Sequence, residues 1–445
     1  MNVRVSIGAS KKFEQKLDAL TVAVIGLGYV GLPLVHVFWQ AGLKVIGFDI
    51  DPPKIAALAT GESYISHFAD SRIRDMNESG RFAATDDFLR LAEADAIMIC
   101  VPTPITPTRE PDLSFVIKTS EMIARPFPKG ALIVLESTTY PGTTQEVVQP
   151  ILETSGLKAG EDFHLAFSPE REDPGSAIET KTIPKIVGGI DTYSGELTAR
   201  FYGLGFFKVH NVSDAQTAEA VKITENIFRT VNIALVNELK LACSRMGIDI
   251  WEVIDAAKTK SFGFMPIYPG PGLGGHCIPI DPFYLSWRAR AFEVDTHFIE
   301  LAGEVNRAMP RIVVQTLADA LSSHQAKALN GANILICGVA YKKNVDDSRK
   351  SPAFRIMEII QGLGGNVSYY DPYIPVIPRT REHASLQGMK SISFDETVLA
   401  RFDAALIATD HSNVDYAALM NWSKLVVDTR NATKEISDKS KIVPA

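Results

Sequence analysis

Val22-Ala23-Val24-Ile25-Gly26-Leu27-Gly28-Tyr29-Val30-Gly31 is a short apolar run that passes directly into G-x-G-x-x-G. Successive apolar residues without alternation read as a strand buried on both faces, the pattern of a parallel sheet. Gly26 permits a tight turn, Gly28 lets phosphate approach the backbone, and Gly31 lets a helix pack on the strand; Tyr29 and Val30 complete the turn. The following helix would aim its free N–H groups and the positive end of its dipole at an anion. A second apolar run, Lys44 to Asp49, ends in a carboxylate. A carboxylate there accepts both ribose hydroxyls and repels a 2′-phosphate, so the site is read as selecting NAD over NADP.

Working outward, Ala96 to Val101, Ala131 to Glu136 and Phe163 to Ser168 are further apolar runs bounded by turn residues, with helical periodicity between them. The alternation predicts a mostly parallel sheet with crossover helices. Val101-Pro102-Thr103-Pro104 ends one of these strands, which makes Thr103 a candidate cofactor contact. From Asp214 to Met246 there is neither glycine nor proline, and the pattern predicts one long helix capped by Ser213 or Asp214. A second helical stretch runs from about Thr296 to Leu321, with Pro310 expected to kink or break it. Ser322 to Gly331 reads as a connector. Beyond it, Asn333 to Gly338, Asn366 to Tyr370, Ala404 to Ala408 and Lys424 to Asp428 read as buried strands, and Ser351 to Leu363 as a crossover helix. The fold class expected is α/β: two Rossmann-like doubly wound parallel sheets joined by a helical centre. The domains are set at residues 1–212, 213–322 and 323–445.

Between the long helices lies Tyr268-Pro269-Gly270-Pro271-Gly272-Leu273-Gly274-Gly275-His276-Cys277-Ile278-Pro279-Ile280-Asp281-Pro282, with four glycines and four prolines in fifteen residues. Such a stretch forms neither helix nor regular strand; it holds a thiol on a shaped loop, with a carboxylate four residues on. A thiolate nucleophile needs access and a favourable field, and Cys277 alone of the four cysteines has such a setting. Cys100 and Cys337 end apolar runs and Cys243 falls in a helical pattern, so these read as core. His276 is read as a packing or hydrogen-bonding residue, because adjacent side chains on an extended loop point apart.

The 445 residues carry a net charge of -7, with 22% charged and 46% hydrophobic side chains. This is the composition of a globular protein and argues against nucleic acid as a partner. No run reaches the length of a membrane span, and residues 1–20 lack the apolar centre of a signal peptide, so a short amphipathic helix and a cytoplasmic location are expected. The cysteine spacing shows neither a metal pattern nor a disulfide framework.

Taken together, the Gly26-Gly28-Gly31 fingerprint, Glu136-Ser137-Thr138, Ser168-Pro169-Glu170, Lys222 with Asn226, Gly274-Gly275-His276-Cys277 with Asp281, and Tyr341-Lys342-Lys343-Asn344 resemble the nucleotide-sugar 6-dehydrogenase family, the UDP-glucose dehydrogenase group. The resemblance runs from Thr21 onward. It implies oxidation of a sugar's primary hydroxyl to a carboxylate with two NAD per turnover, through a thiohemiacetal and a thioester on Cys277. It further implies that Lys222 and Asn226, one helical turn apart, steady developing negative charge; that Asp281 positions or activates water; that Glu170 is an acid/base residue; and that Thr138 holds the hydrolytic water. Read alone, Lys222 and Asn226 are a solvated helix face and Asp281 is a helix cap. The same resemblance implies that Lys342, Arg430, Gly274 and Tyr268 contact a UDP-sugar and that Arg349 reaches the NAD pyrophosphate.

Ser168-Pro169-Glu170-Arg171-Glu172-Asp173-Pro174-Gly175 departs from the UDP-glucose enzymes and is similar to the branch acting on N-acetylated hexosamines. Phe262-Gly263-Phe264-Met265-Pro266 and Tyr268 to Leu273 look most like UDP-N-acetylglucosamine 6-dehydrogenases. UDP-N-acetylmannosamine and UDP-glucose are the alternatives. A single-step 3-hydroxyacid or 6-phosphogluconate-type dehydrogenase is the more distant reading, and would need neither Cys277 nor a second α/β domain. The apolar residues of the long helix exceed what one neighbour would cover, so at least a dimer is expected.

Overall fold

The computed structural model describes residues 19–65, 68–106, 110–172, 179–275, 280–380 and 382–445. The expected N-terminal amphipathic helix lies outside these residues. The chain divides into two compact units: residues to Glu225 together with Phe283–Val294, and Asn226–Pro282 together with Asp295–Ala445.

The first unit is built on strands β1 (Thr21–Ile25), β2 (Lys44–Phe48), β3 (Phe82–Thr85), β4 (Ala96–Ile99), β5 (Leu132–Leu135), β6 (His164–Phe167), β7 (Lys185–Gly189) and β8 (Val209–Asn211). They form one sheet in the order β3-β2-β1-β4-β5-β6-β7-β8. All neighbours are parallel except β6 and β7, which meet antiparallel. Alternate residues of β1 enter opposite layers. Val22 and Val24 pack with Leu34, Phe38 and Val45, whereas Ala23 and Ile25 pack with Ile46, Ile97 and Ile133. That double burial is why the strand reads as an unbroken apolar run. Each buried valine, leucine, isoleucine or phenylalanine among them contributes about 1.5–3 kcal/mol by leaving water. The strand order reverses between β1 and β4, so the carboxyl ends of these two strands form the crevice where an open α/β sheet takes its ligand.

The second unit carries β9 (Asn333–Cys337), β10 (Asn366–Tyr370), β11 (Ala404–Ile407), β12 (Val426–Asp428) and β13 (Ile442–Pro444). Their order is β10-β9-β11-β12-β13, all parallel, with the reversal between β9 and β11. Both sheets are thus doubly wound, as expected. Strands β3, β7, β8 and β13 are additional to those read from the sequence.

The long helix spans Ala215–Met246, beginning in the first unit and ending in the second. Asp214 caps it by accepting the Thr217 N–H at 2.7 Å. The helix His297–Gln325 runs on through Pro310. Proline leaves the Asn306 carbonyl without its helical donor, and Gly272, at φ +138°, packs against that turn. The expected connector is shortened, because this helix continues to Gln325 and closes on Ala326 in the left-handed conformation.

Candidate functional site

In the first unit the glycine turn follows β1. Gly26 has φ +94°, and a Cβ there would lie 2.5 Å from the Cys100 carbonyl oxygen. A Cβ on Gly31 would lie 1.9 Å from the Gly26 oxygen. Nothing stands within 4 Å of where a Gly28 Cβ would be, so this turn leaves room where pyrophosphate would lie. Val30 precedes the helix Gly31–Gln40 without a side-chain cap; Leu32 donates its N–H to the Gly28 carbonyl at 3.1 Å and Pro33 has none, so an anion here would be met by the N–H groups of the turn at the helix start rather than by the whole first helical turn. These features fit a bound dinucleotide.

Asp49 is 7% exposed. Its carboxylate accepts the Leu27 N–H at 2.9 Å and the Asp51 N–H at 3.0 Å, and pairs with Lys54 at 3.0 Å. It therefore holds the glycine turn, from a strand end where a carboxylate can accept ribose hydroxyls. Thr103 is buried in the loop after β4, and its carbonyl accepts the Tyr284 hydroxyl.

A buried ionic cluster lies beyond β5 and β6. Lys185, at the start of β7, donates to Glu136 at 2.6 Å and approaches Glu170 at 3.4 Å. The Tyr202 hydroxyl donates to the other oxygen of Glu136. Burial pushes the Glu136 carboxyl above its ordinary range although Lys185 opposes it. Burial would lower the Lys185 ammonium, but Glu136 and Glu170 outweigh that and raise it. The Glu170 carboxylate accepts the backbone N–H groups of Arg171 and Glu172, both at 2.6 Å. The Lys222 ammonium donates to the main-chain oxygen of Glu170. Burial and the neighbouring Glu170 push the Glu172 carboxyl up to about 8.

Thr138 is half-buried in the turn after β5. That turn is held from the long helix by Glu219, which accepts the Thr144 N–H at 2.9 Å and its hydroxyl at 2.7 Å. Burial carries Glu219 up to about 7 against these hydrogen bonds. Glu136 and Lys185 lie 49 residues apart and Glu219 sits 75 residues from Thr144, so none of these partnerships is visible in a local pattern. The one sequence signal is a charged residue set against an apolar strand.

In the second unit Asn226 donates its side-chain N–H to Asp281 at 2.6 Å, and both are buried. Asp281 is the first residue of the helix Asp281–Arg290, within its first turn, and there it accepts from Asn226. The glycine loop is pinned from several sides. Gly270 N–H donates to Asn237 at 3.0 Å, and Gly275 N–H donates to the Arg349 carbonyl at 3.0 Å. A Cβ on Gly274 would stand 2.8 Å from the Tyr341 Cβ, and one on Gly270 would stand 2.5 Å from the Arg430 guanidinium. Arg430 donates to the Ala408 carbonyl at 3.0 Å, and burial lowers its basicity. The structure thus gathers Gly274, the Tyr341–Lys342 loop and Arg349 in one place, and sets Arg430 against Gly270 at the start of the glycine loop.

Arg349 holds Asp347 in a fork, through Nε at 2.9 Å and Nη2 at 2.6 Å. Tyr268 stands on the flank of this unit, stacked on Trp251 at 5.2 Å and donating to Asp255 at 2.6 Å. Cys277 and its neighbour His276 lie outside the described residues. Asp371 and His411 went unremarked in the sequence. Asp371 ends β10 as Asp49 ends β2, and the run Tyr369-Tyr370-Asp371-Pro372 carried the same signal as Phe48-Asp49-Ile50-Asp51-Pro52.

The fold and these sites define an NAD-dependent oxidoreductase with a second nucleotide-binding sheet. The sequence matches the UDP-glucose/GDP-mannose dehydrogenase family in three parts: the NAD binding domain over residues 20–204, the central domain over 216–308 and the UDP binding domain over 335–435. The chain belongs to this family and is an NAD-dependent UDP-sugar dehydrogenase. It is 35% identical over 428 residues to a UDP-N-acetyl-D-mannosamine dehydrogenase of Pyrococcus horikoshii, covering 94% of this chain and 96% of that one. It is 34% identical over 409 residues to a UDP-N-acetyl-D-glucosamine 6-dehydrogenase of Pseudomonas aeruginosa, covering 91% and 94%. The solved structure of a UDP-D-ManNAc dehydrogenase from Pyrococcus horikoshii superposes with a TM-score of 0.86 at 32% identity, over 96% of this chain and 99% of that one. Among the described residues no helix is long and apolar enough to cross a membrane.

Proposed function

We propose that the enzyme oxidises the 6-hydroxyl of a UDP-N-acetylhexosamine, foremost UDP-N-acetylglucosamine, to the uronic acid. One observation carries this reading: relatives matched along more than nine tenths of the chain are named for UDP-sugars bearing an N-acetyl group. The Ser168 to Gly175 stretch, which departs from the UDP-glucose pattern, supports it.

The alcohol first loses a hydride and a proton to become an aldehyde. The Cys277 thiol adds to that aldehyde, forming a C–S bond and a thiohemiacetal. Loss of a second hydride and a proton leaves a thioester, which water cleaves to release the carboxylate and the thiol. NAD, when bound, takes up the hydride at each oxidation. Lys222 steadies negative charge on the sugar oxygen. Asn226 gives one amide hydrogen to Asp281, and we assign its second to the developing oxyanion. Asp281 positions the hydrolytic water. Glu170 exchanges protons, and Thr138 holds that water beside it. Lys342, Arg430, Gly274 and Tyr268 are assigned to the UDP-sugar. Gly26, Gly28, Tyr29, Val30, Gly31, Asp49, Thr103 and Arg349 are assigned to NAD.

The functional domains are set at residues 1–212, 213–322 and 323–445. Phe228, Leu235, Leu239 and Met246 are exposed on the long helix at intervals of seven, four and seven residues, which is one face. We assign that face to a second copy of the chain; Leu235→Glu with Leu239→Glu should yield monomers by light scattering. Cys100, Cys243 and Cys337 are free thiols, in keeping with a cytoplasmic enzyme.

The test is a panel of UDP-sugars assayed for NADH. Two NADH per molecule of UDP-N-acetylglucosamine, with little from UDP-glucose, is the expected result. A preference for UDP-N-acetylmannosamine or UDP-glucose would move the substrate. A single NADH per sugar would overturn the two-step chemistry.

A further inference from the structure

The two sheets share one device. Gly26, after β1, has φ +94° and donates its N–H to the Phe48 carbonyl at 2.8 Å; Gly338, after β9, has φ +84° and donates to the Tyr370 carbonyl at 2.8 Å. The next residue, Leu27 or Val339, donates its N–H to the carboxylate that ends the second strand, Asp49 or Asp371. The family match assigns the first of these sheets to NAD and the second to UDP. In the second unit the acid is occupied. Asp371 accepts N–H groups from Val339 (2.7 Å), Ala340 (3.0 Å), Tyr373 (2.8 Å) and Ile374 (3.0 Å), and the His411 imidazole approaches it at 3.1 Å. Five donors on one carboxylate leave little capacity for ribose hydroxyls.

What the arrangement holds instead is the loop Tyr341–Asn344. His411 follows β11, at the reversal point of the second sheet, and is fully buried. Its Nδ1 accepts the Asn344 N–H at 2.9 Å, so the ring hydrogen sits on Nε2 and points at Asp371. Tyr373 packs on the ring at 4.9 Å. Asn344 has φ +60°, a left-handed conformation that asparagine tolerates better than most residues. Its side chain clasps Ser412 both ways: Asn344 Nδ2 donates to Ser412 Oγ and Ser412 N–H donates to Asn344 Oδ1, each at 2.9 Å. On the other side of Lys342, the Thr409 hydroxyl donates to the Ala340 carbonyl at 2.6 Å. Lys342 thus sits midway between two residues, Ala340 and Asn344, that are tied to the segment after β11.

We propose that His411 is a positioning residue of the UDP-sugar site: it bridges Asp371 to the Asn344 N–H and so fixes the Lys342 loop for the nucleotide. The proposal rests on the reading of Lys342 as a nucleotide contact. A carboxylate–imidazole pair suits this task. The carboxylate orients the ring, and the ring presents a single acceptor in a fixed direction to a backbone donor.

The test uses substitutions that keep one half of the bridge each. His411→Asn carries an oxygen where Nδ1 stands and retains the acceptor for Asn344. His411→Gln carries an amide where Nε2 stands and retains the donor to Asp371. UDP affinity is measured by calorimetry on the full chain, with KM and kcat for the UDP-sugar beside it. His411→Gln is expected to weaken UDP by about three- to tenfold, the effect of one lost hydrogen bond, and to raise KM with kcat within about twofold. His411→Asn is expected to stay within about twofold of the unaltered enzyme. Equal effects of the two variants, or none from either, would overturn the proposal.

Lys342→Ala separates the two readings. If it leaves UDP affinity intact, the assignment of Lys342 fails and the proposal goes with it. If it weakens UDP while His411→Gln does not, only the role of His411 fails. Hydrogen exchange on the unaltered protein gives a reading independent of variant folding. The Asn344 amide should be protected well beyond the flanking exposed Lys343 amide, and matching rates for the two would overturn the bridge.

Discussion

Lys185→Met tests the buried cluster of the first unit most directly. Lys185 is 3% exposed, and its partner Glu136 is fully buried beneath the ammonium at 2.6 Å, with Tyr202 on its other oxygen. Removing one partner of a buried pair leaves the other charge uncompensated, which costs about 3–5 kcal/mol. For a unit of this size that corresponds to a fall of about 6–20 °C in its melting temperature. The penalty should depend on pH. Glu136 already titrates above its ordinary range because of burial, and losing Lys185 raises it further. A carboxyl whose folded pKa is raised binds more protons folded than unfolded. The stability it lends is therefore complete below the unfolded value of about 4.3 and is lost as pH rises through the raised folded value. The variant should accordingly be least stable in mild alkali and recover towards pH 5. Adding Glu136→Gln removes the orphan charge, so the double variant should be more stable than Lys185→Met alone at pH 8. Calorimetric scans of the four proteins of this cycle at pH 5 and pH 8 provide the measurement. Strictly additive effects, or a Lys185→Met penalty that does not vary with pH, would refute the reasoning.

Gly31→Ala forces a Cβ to within 1.9 Å of the Gly26 carbonyl oxygen, so the turn must open; NAD binding, followed by calorimetry, should fall at least tenfold, and unchanged affinity would contradict the geometry. Glu172 titrates at about 8, so the first unit should lose stability as pH rises from about 4.3 through that value; Glu172→Gln should flatten the slope of melting temperature against pH, and an identical slope would refute the assignment. Asp281→Asn removes the carboxylate that accepts from Asn226; kcat should drop by about 10²–10⁴ with little change in KM for NAD, and near-normal kcat would remove Asp281 from the chemistry.

The first sheet was legible from Val22 to Gly31 because that segment's requirements are local. Consecutive apolar residues must be buried on both faces, and Gly26 and Gly31 must be glycine where the backbone turns and a helix meets a strand. The long helix was legible for the same reason, with Asp214 as its cap. Strands without a continuous apolar run escaped the reading. β8 and β13 have three residues each and lack the apolar run, Leu425-Val426-Val427, that marks the equally short β12; they exist because a neighbouring strand offers them hydrogen bonds.

Side-chain chemistry divided along the same line. The family resemblance nominated Glu170, Lys222, Asn226 and Asp281, whereas residue type and spacing alone made Lys222 and Asn226 a solvated helix face and Asp281 a helix cap. Their partners were decided by the fold: Asn226 meets Asp281 across 55 residues, Lys185 meets Glu136 across 49, and His411 meets Asn344 across 67. A chain pattern records which groups need burial or a turn, since those demands are met within a few neighbours. Which charge neutralises which, and which imidazole steadies which loop, depends on where crossover connections bring strand ends together, and that emerges only when the sheets have formed.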